Sequence, residues 1–163
     1  MKKAILLLAI ACAVMLGCRQ RPASLKVTDG ADSPGLASDE KVLLALDAYN
    51  PMYLVNGKGR IIKLKLPWRH LPDSILAEIN KLTELEELDC FATTLSDDRL
   101  GLLKDLQKLR SFGLARSGIT DEGLVYMQKL RSLRYVWLSK ERITEEAVEK
   151  LKETCPDLTV YLQ

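Results

Sequence analysis

The sequence predicts an α/β solenoid. A parallel sheet should line its concave face and helices its convex face, with about four repeats behind an N-terminal capping helix and hairpin. Three observations predict this. Apolar residues recur at a spacing of 24 through the last two thirds of the chain. Each unit opens with period-two alternation and closes with apolar residues three apart. The segments on either side of the repeats are suited to cover the ends.

The repeat rests on seven apolar columns. Leu82, Leu106 and Leu130 begin three successive copies, followed by Leu85, Leu109 and Leu133 and then by Leu88, Phe112 and Val136. Cys90, Leu114 and Leu138 align next, then Leu95, Ile119 and Ile143, then Leu100, Leu124 and Val148, and last Leu103, Met127 and Leu151. An upstream copy places Ile61, Leu64, Leu66, Leu71, Leu76 and Ile79 in the same register, with Lys58 where a leucine is expected. A period of roughly 20–29 residues with an L-x-x-L-x-x-L-x-L core marks a leucine-rich repeat.

Within a copy, LRSLRYVWL (130–138) ends in alternation, which reads as a short strand. The second half opens with Ser96-Asp97-Asp98, Thr120-Asp121-Glu122 or Thr144-Glu145-Glu146. A Ser or Thr followed by acids is a helix N-cap with carboxylates at the positive end of the dipole. Leu100 and Leu103, Leu124 and Met127, and Val148 and Leu151 then share a helical face. The acidic column Asp73, Asp97, Asp121, Glu145 is explained by helix starts rather than by calcium.

The ends follow the same logic. Ser38-Asp39-Glu40 is a further cap signal, and Val42, Leu43, Leu46 and Tyr49 predict a capping helix over 39–49, stopped by Pro51. Met52–Val55 and Arg60–Leu66 flank Asn56-Gly57-Lys58-Gly59, a strong hairpin turn. CPDLTVYLQ (155–163) begins a closing strand with no helix after it.

Residues 119–124, ITDEGL, follow LQKLRSFGLARSG and resemble the bacterial leucine-rich repeat type whose consensus carries T-D-x-G-L. The resemblance extends over 58–163, with Arg99 and Ala147 where Gly123 stands in the third copy. It implies the fold and no particular activity, because domains of this type have diverse partners.

Residues 1–18 read as a targeting segment. Lys2 and Lys3 precede the uncharged apolar run Ala4–Gly17. This run is shorter than the roughly 20 residues a spanning helix needs. Met15-Leu16-Gly17-Cys18 resembles a bacterial lipobox, which implies lipidation at Cys18 and an extracytoplasmic protein anchored to a cell-envelope membrane. Arg19 stands where an acidic residue would resemble an inner-membrane retention signal, a weak pointer to the outer membrane that leaves the choice between inner and outer membrane open. Residues 19–37, with Pro22, Gly30, Pro34 and Gly35, read as a flexible tether. The cap then spans 38–57 and the repeat domain 58–163. Removing Lys2 and Lys3 from the 24 basic residues leaves 22 against 22 acidic ones, so no nucleic-acid partner is expected.

Cys90 and Cys155 lie too far apart in the repeat register for a disulfide, and both read as buried free thiols. His70 reads as a surface residue in the turn after the first repeat strand. No glycine-rich phosphate loop, CxxC or HExxH occurs, so no catalytic, metal or cofactor site is expected. Between the core positions, side chains should point outward from the concave sheet: Lys63, Lys65 and Pro67; Glu87, Asp89 and Phe91; Ser111, Gly113 and Ala115; Tyr135, Trp137 and Ser139. Small residues of the third strand give a low floor. Trp137, Tyr135 and Phe91 are the expected anchors, Glu87 and Asp89 the groups that choose a basic residue, and Gly113 a point of close approach. Lys63 beside Glu87 and Lys65 beside Asp89 offer the alternative of simple cross-strand pairs. The sequence therefore predicts a monomeric, non-catalytic protein- or peptide-binding module held at the cell envelope by a lipid anchor. The alternative is a structural envelope component without a specific ligand.

Overall fold

Alternation and three-residue spacing become strand and helix in turn. The computed structural model describes residues 36–66 and 70–163, with side chains of the first helix described from Asp39 onward. The expected targeting segment, Cys18, most of the expected tether, Pro67 and Trp68 lie outside the described residues. Helix α1 (Leu36–Leu46) runs into a 3-10 turn at Asp47–Tyr49. Strands β1 (Met52–Val55) and β2 (Ile61–Lys65) form a hairpin, followed by α2 (Asp73–Ile79). The chain continues through β3 (Glu87–Asp89), α3 (Asp97–Leu100), β4 (Ser111–Gly113) and α4 (Leu124–Met127). It ends with β5 (Tyr135–Leu138), α5 (Glu145–Thr154) and β6 (Thr159–Leu162).

The architecture is α/β, with one six-stranded sheet in the order β1-β2-β3-β4-β5-β6. The first pair is antiparallel and every later pair is parallel. Lys63 pairs with Glu87, Glu87 with Ser111, Ser111 with Tyr135 and Tyr135 with Thr159, so each residue faces the one 24 positions on. Every member of the seven columns is buried, with none above 8% exposure. Lys58, at the missing leucine, is exposed, and Val42 and Leu46 of α1 join the core near that end.

The hairpin turns where Asn56 does. Its Oδ1 accepts the N–H groups of Lys58 at 2.9 Å and Arg60 at 3.1 Å. Helix α1 departs from the expected 39–49. It starts at Leu36, so Ser38 lies inside it and is not its cap. Asp39 turns inward instead and is 2% exposed. It accepts Arg60 Nε and the Ile61 N–H, each at 2.9 Å, tying the cap to the start of β2.

The acidic column does more than favour helix starts. Asp97 accepts the N–H and the Oγ1–H of Thr120, at 2.8 and 2.6 Å. Asp121 holds Thr144 in the same way, at 2.9 and 2.8 Å. Each acid thus grips the cap of the next unit, while Thr120 and Thr144 cap their own helices. The first unit differs because Arg99 stands where the third copy has glycine. Asp73 pairs with Arg99 Nε at 2.6 Å, and Arg99 also donates to the carbonyls of Leu71 and Thr94. Ser96 does not cap its helix; its hydroxyl donates to Asp98 at 2.7 Å and holds that carboxyl below its ordinary range. Helices α3 and α4 are single turns extended by 3-10 residues, since a short unit leaves little chain between cap and next strand.

Gly123 makes room for this grip. A Cβ there would lie 2.3 Å from Asp97 Oδ1 and 2.9 Å from Ile119 Cγ2. Asp97→Ala should cost about 1–3 kcal/mol by orphaning partly buried donors. Gly123→Ala should also destabilise, but less so when Asp97 is already alanine. A double-mutant cycle by urea denaturation reads this coupling, and simple additivity would show that the glycine does not serve the carboxylate.

Candidate functional site

Parallel pairing sorts the outward residues of the sheet into rows. One row reads Lys63, Glu87, Ser111, Tyr135, Thr159, and the next reads Lys65, Asp89, Gly113, Trp137, Tyr161. Neighbours in a row lie about 4.8 Å apart. Strand alternation puts both rows on the face opposite Leu64, Leu88, Phe112 and Val136, which are buried.

Charge fills one end of the rows. Lys63 Nζ lies 2.5 Å from Glu87 Oε1, and Lys65 Nζ lies 3.0 Å from Asp89 Oδ2. Asp89 also accepts the Phe91 N–H at 3.0 Å. Glu87 and Asp89 therefore already hold cations of their own sheet, which is the pairing that their positions beside Lys63 and Lys65 offered. Such exposed pairs contribute about 0–1 kcal/mol each, so they set the local charge more than the stability.

Aromatic rings fill the other end. Trp137 stacks on Tyr161 with centroids 5.2 Å apart and planes 14° apart. Tyr135 stands 6.5 Å from Trp137 at 35°. Tyr135 is 45% exposed and Tyr161 42%, while Trp137 is half-buried between them. Tyr161, brought in by the closing strand, is thus an exposed third member of the cluster.

Gly113 separates the two ends. A Cβ there would meet Asp89 Oδ1 at 2.8 Å. The close approach expected of a ligand is made by Asp89, whose carboxylate leans over β4. Phe91 is half-buried, with the Arg116 guanidinium 5.6 Å from its ring centroid. Two expected outward residues are buried instead of exposed: Ala115 is 2% exposed and Ser139 6%. Both stand past their strand's last paired residue on that face. Arg116 takes a left-handed φ of 57° and donates its N–H to Ser139 Oγ at 2.6 Å.

Groups with nucleophilic or acid–base chemistry lie elsewhere. Cys90 is fully buried, and this burial, helped by the charge of Asp89, pushes its thiol far above the ordinary range. A thiolate nucleophile needs the opposite setting. Cys155 is half-buried rather than buried, and both thiols are free. His70 is exposed, its Nδ1 2.7 Å from Thr94 Oγ1. Among the described residues no group of three or more His, Cys, Asp or Glu side chains is placed to hold a metal ion. A scan against protein-family models finds no match to this sequence, and a search of curated proteins finds none either.

The buried thiol makes stability depend on pH with a definite sign. The folded pKa is raised, so the folded state keeps its proton while the unfolded thiol loses it above about pH 8.5. Stability is therefore full below that range and falls as pH rises. Melts between about pH 8 and pH 10 should fall more steeply for the wild type than for Cys90→Ala. Equal slopes would mean that the thiol titrates alike in both states.

Proposed function

We propose that this chain is a leucine-rich repeat solenoid that works as a non-catalytic protein-binding module at the cell envelope. Seven buried columns in one register and parallel pairing offset by 24 residues support the solenoid reading. The bacterial repeat motif at 119–124 supports it as well. Residues 1–18 support an extracytoplasmic protein with its lipid on Cys18, anchored to a cell-envelope membrane through the tether.

The observation that carries the binding role is the strip of Tyr135, Trp137 and Tyr161 on the concave sheet face. Rigid aromatic rings on paired strands lose little entropy on contact and are common anchors of interfaces. Ser111 leaves the floor beside them low, and the Asp89 carboxylate lies over Gly113. Phe91 bounds the groove, and Glu87 and Asp89 form its far wall, neutralised by their lysines rather than open to a basic group. A protein loop or extended peptide fits such a surface, and neutral overall charge leaves nucleic acid unfavoured.

Envelope extract passed over the immobilised wild-type chain should yield partners that Tyr135→Ala with Trp137→Ala fails to retain. Quantitative mass spectrometry reads the difference; identical recovery would remove the groove from the account and favour a purely structural envelope role. For the anchor, the native chain should have the mass of residues 18–163 plus acyl chains, and Cys18→Ser should lose the added mass. A native chain cleaved elsewhere and unacylated contradicts the lipoprotein reading.

A further inference from the structure

The open sheet face and its rim are not electrically balanced, and the surplus sits beside the aromatic strip. Lys63 and Lys65 are matched by Glu87 and Asp89. Past the C-terminal ends of β4 and β5 stand Arg116, Lys140 and Arg142, all exposed. Glu141 is the one carboxylate in residues 114–120 and 139–144. Among the described residues, no carboxylate forms a salt bridge with Arg116, Lys140 or Arg142.

Arg116 is held in place. Its left-handed backbone and its N–H bond to Ser139 Oγ fix where the side chain leaves the strand end. Its guanidinium sits over the Phe91 ring, and an arginine so placed keeps N–H donors at its edge for a carboxylate. Arg116 follows Gly113 by three residues and Lys140 follows Trp137 by three, so both cations lie where their strands leave the sheet. A basic ligand along the strip would meet like charge at this rim, which costs affinity, and would find Glu87 and Asp89 already engaged.

We propose that the face binds an extended acidic segment of another protein. Its apolar side chains lie on Tyr135, Trp137 and Tyr161, and its carboxylates reach Arg116 and Lys140. The inference rests on the protein-binding reading above and adds the sign of the partner's charge.

A phage-displayed random dodecapeptide library, panned on the purified full chain in detergent, tests it. The wild type should enrich peptides rich in Asp and Glu next to apolar residues. Arg116→Glu with Lys140→Glu should bind the leading synthetic peptide at least about tenfold more weakly, the effect of one lost charge-assisted contact. It should instead enrich basic peptides. Arg116 and Lys140 are exposed, as Tyr135 is, and Trp137 is half-buried, so unchanged circular dichroism and melting of Arg116→Glu with Lys140→Glu and of Tyr135→Ala with Trp137→Ala would show that the variants fold. Enrichment of basic or neutral peptides whose binding still needs Tyr135 and Trp137 overturns the charge assignment and leaves the groove standing. The absence of any peptide that depends on Tyr135 and Trp137 overturns both, as does binding of an anionic polysaccharide such as polygalacturonate alone.

Discussion

The whole arrangement depends on each strand pairing with the copy of itself one unit further on. The backbone bonds state this directly. Glu86 N–H donates to the Ile62 carbonyl, Arg110 N–H to Glu86 and Arg134 N–H to Arg110, and the line reaches β6 through Thr159 N–H on Arg134. At the other strand ends Cys90 donates to Gly113, Leu114 to Trp137 and Gln163 to Leu138. Such a ladder fixes which residues pair within the strands. One residue added inside a strand would slip the register and turn core residues such as Leu88, Phe112 or Val136 toward water. The side-chain bonds from Asp97 to Thr120 and from Asp121 to Thr144 repeat the same spacing on the helical side of the unit. Both layers are thus locked to one period.

The same register decides what the exposed face can be. An outward residue stands beside its equivalents in the adjoining units, so surface character is written in rows across the sheet. Where equivalents carry opposite charge, as at Lys65 and Asp89, they pair. Where both are aromatic, as at Trp137 and Tyr161, they stack. Gly113 stands between these two outcomes. Without a side chain of its own, it lets the Asp89 carboxylate lie over β4, in the space between the charged half and the ring half of the face. The core columns are nearly uniform while these rows are not, as expected if packing constrains the first and something else the second.

Much of this was legible in the sequence because it follows from period alone. The seven columns, the strand and helix halves, the hairpin turn and the pairing of Lys63 with Glu87 depend on spacing and turn chemistry, which a linear reading captures. The parts that escaped depend on where a short side chain reaches in three dimensions. Asp39 carries the signature of a helix-start acid, yet its carboxylate satisfies the Ile61 N–H across the cap. Asp97 and Asp121 carry that signature too, and reach the following unit. Ala115 and Ser139 continue the alternation of their strands, yet both are buried, and Ser139 Oγ is taken by the Arg116 N–H. Tyr161 alone had a usable signal: it lies one period beyond Trp137 and so had to share its row.

The aromatic strip inherits its rigidity from the strands beneath it, and unequally. Trp137 sits on β5, paired on both sides, whereas Tyr161 sits on β6, the last strand of the sheet among the described residues. Edge strands open more readily than central ones, because half their backbone groups lack a ladder partner. Here the edge is tied by the Lys140 N–H to the Gln163 carbonyl and by Gln163 N–H to Leu138, both next to the rings. Val160 and Leu162 add their apolar faces to the core from the same strand. The stack of Tyr161 on Trp137 therefore couples the end of the sheet to the proposed binding surface. A ligand that covered both rings would stabilise the edge as it bound, and fraying of β6 would remove half the stack before any change reached the leucine columns.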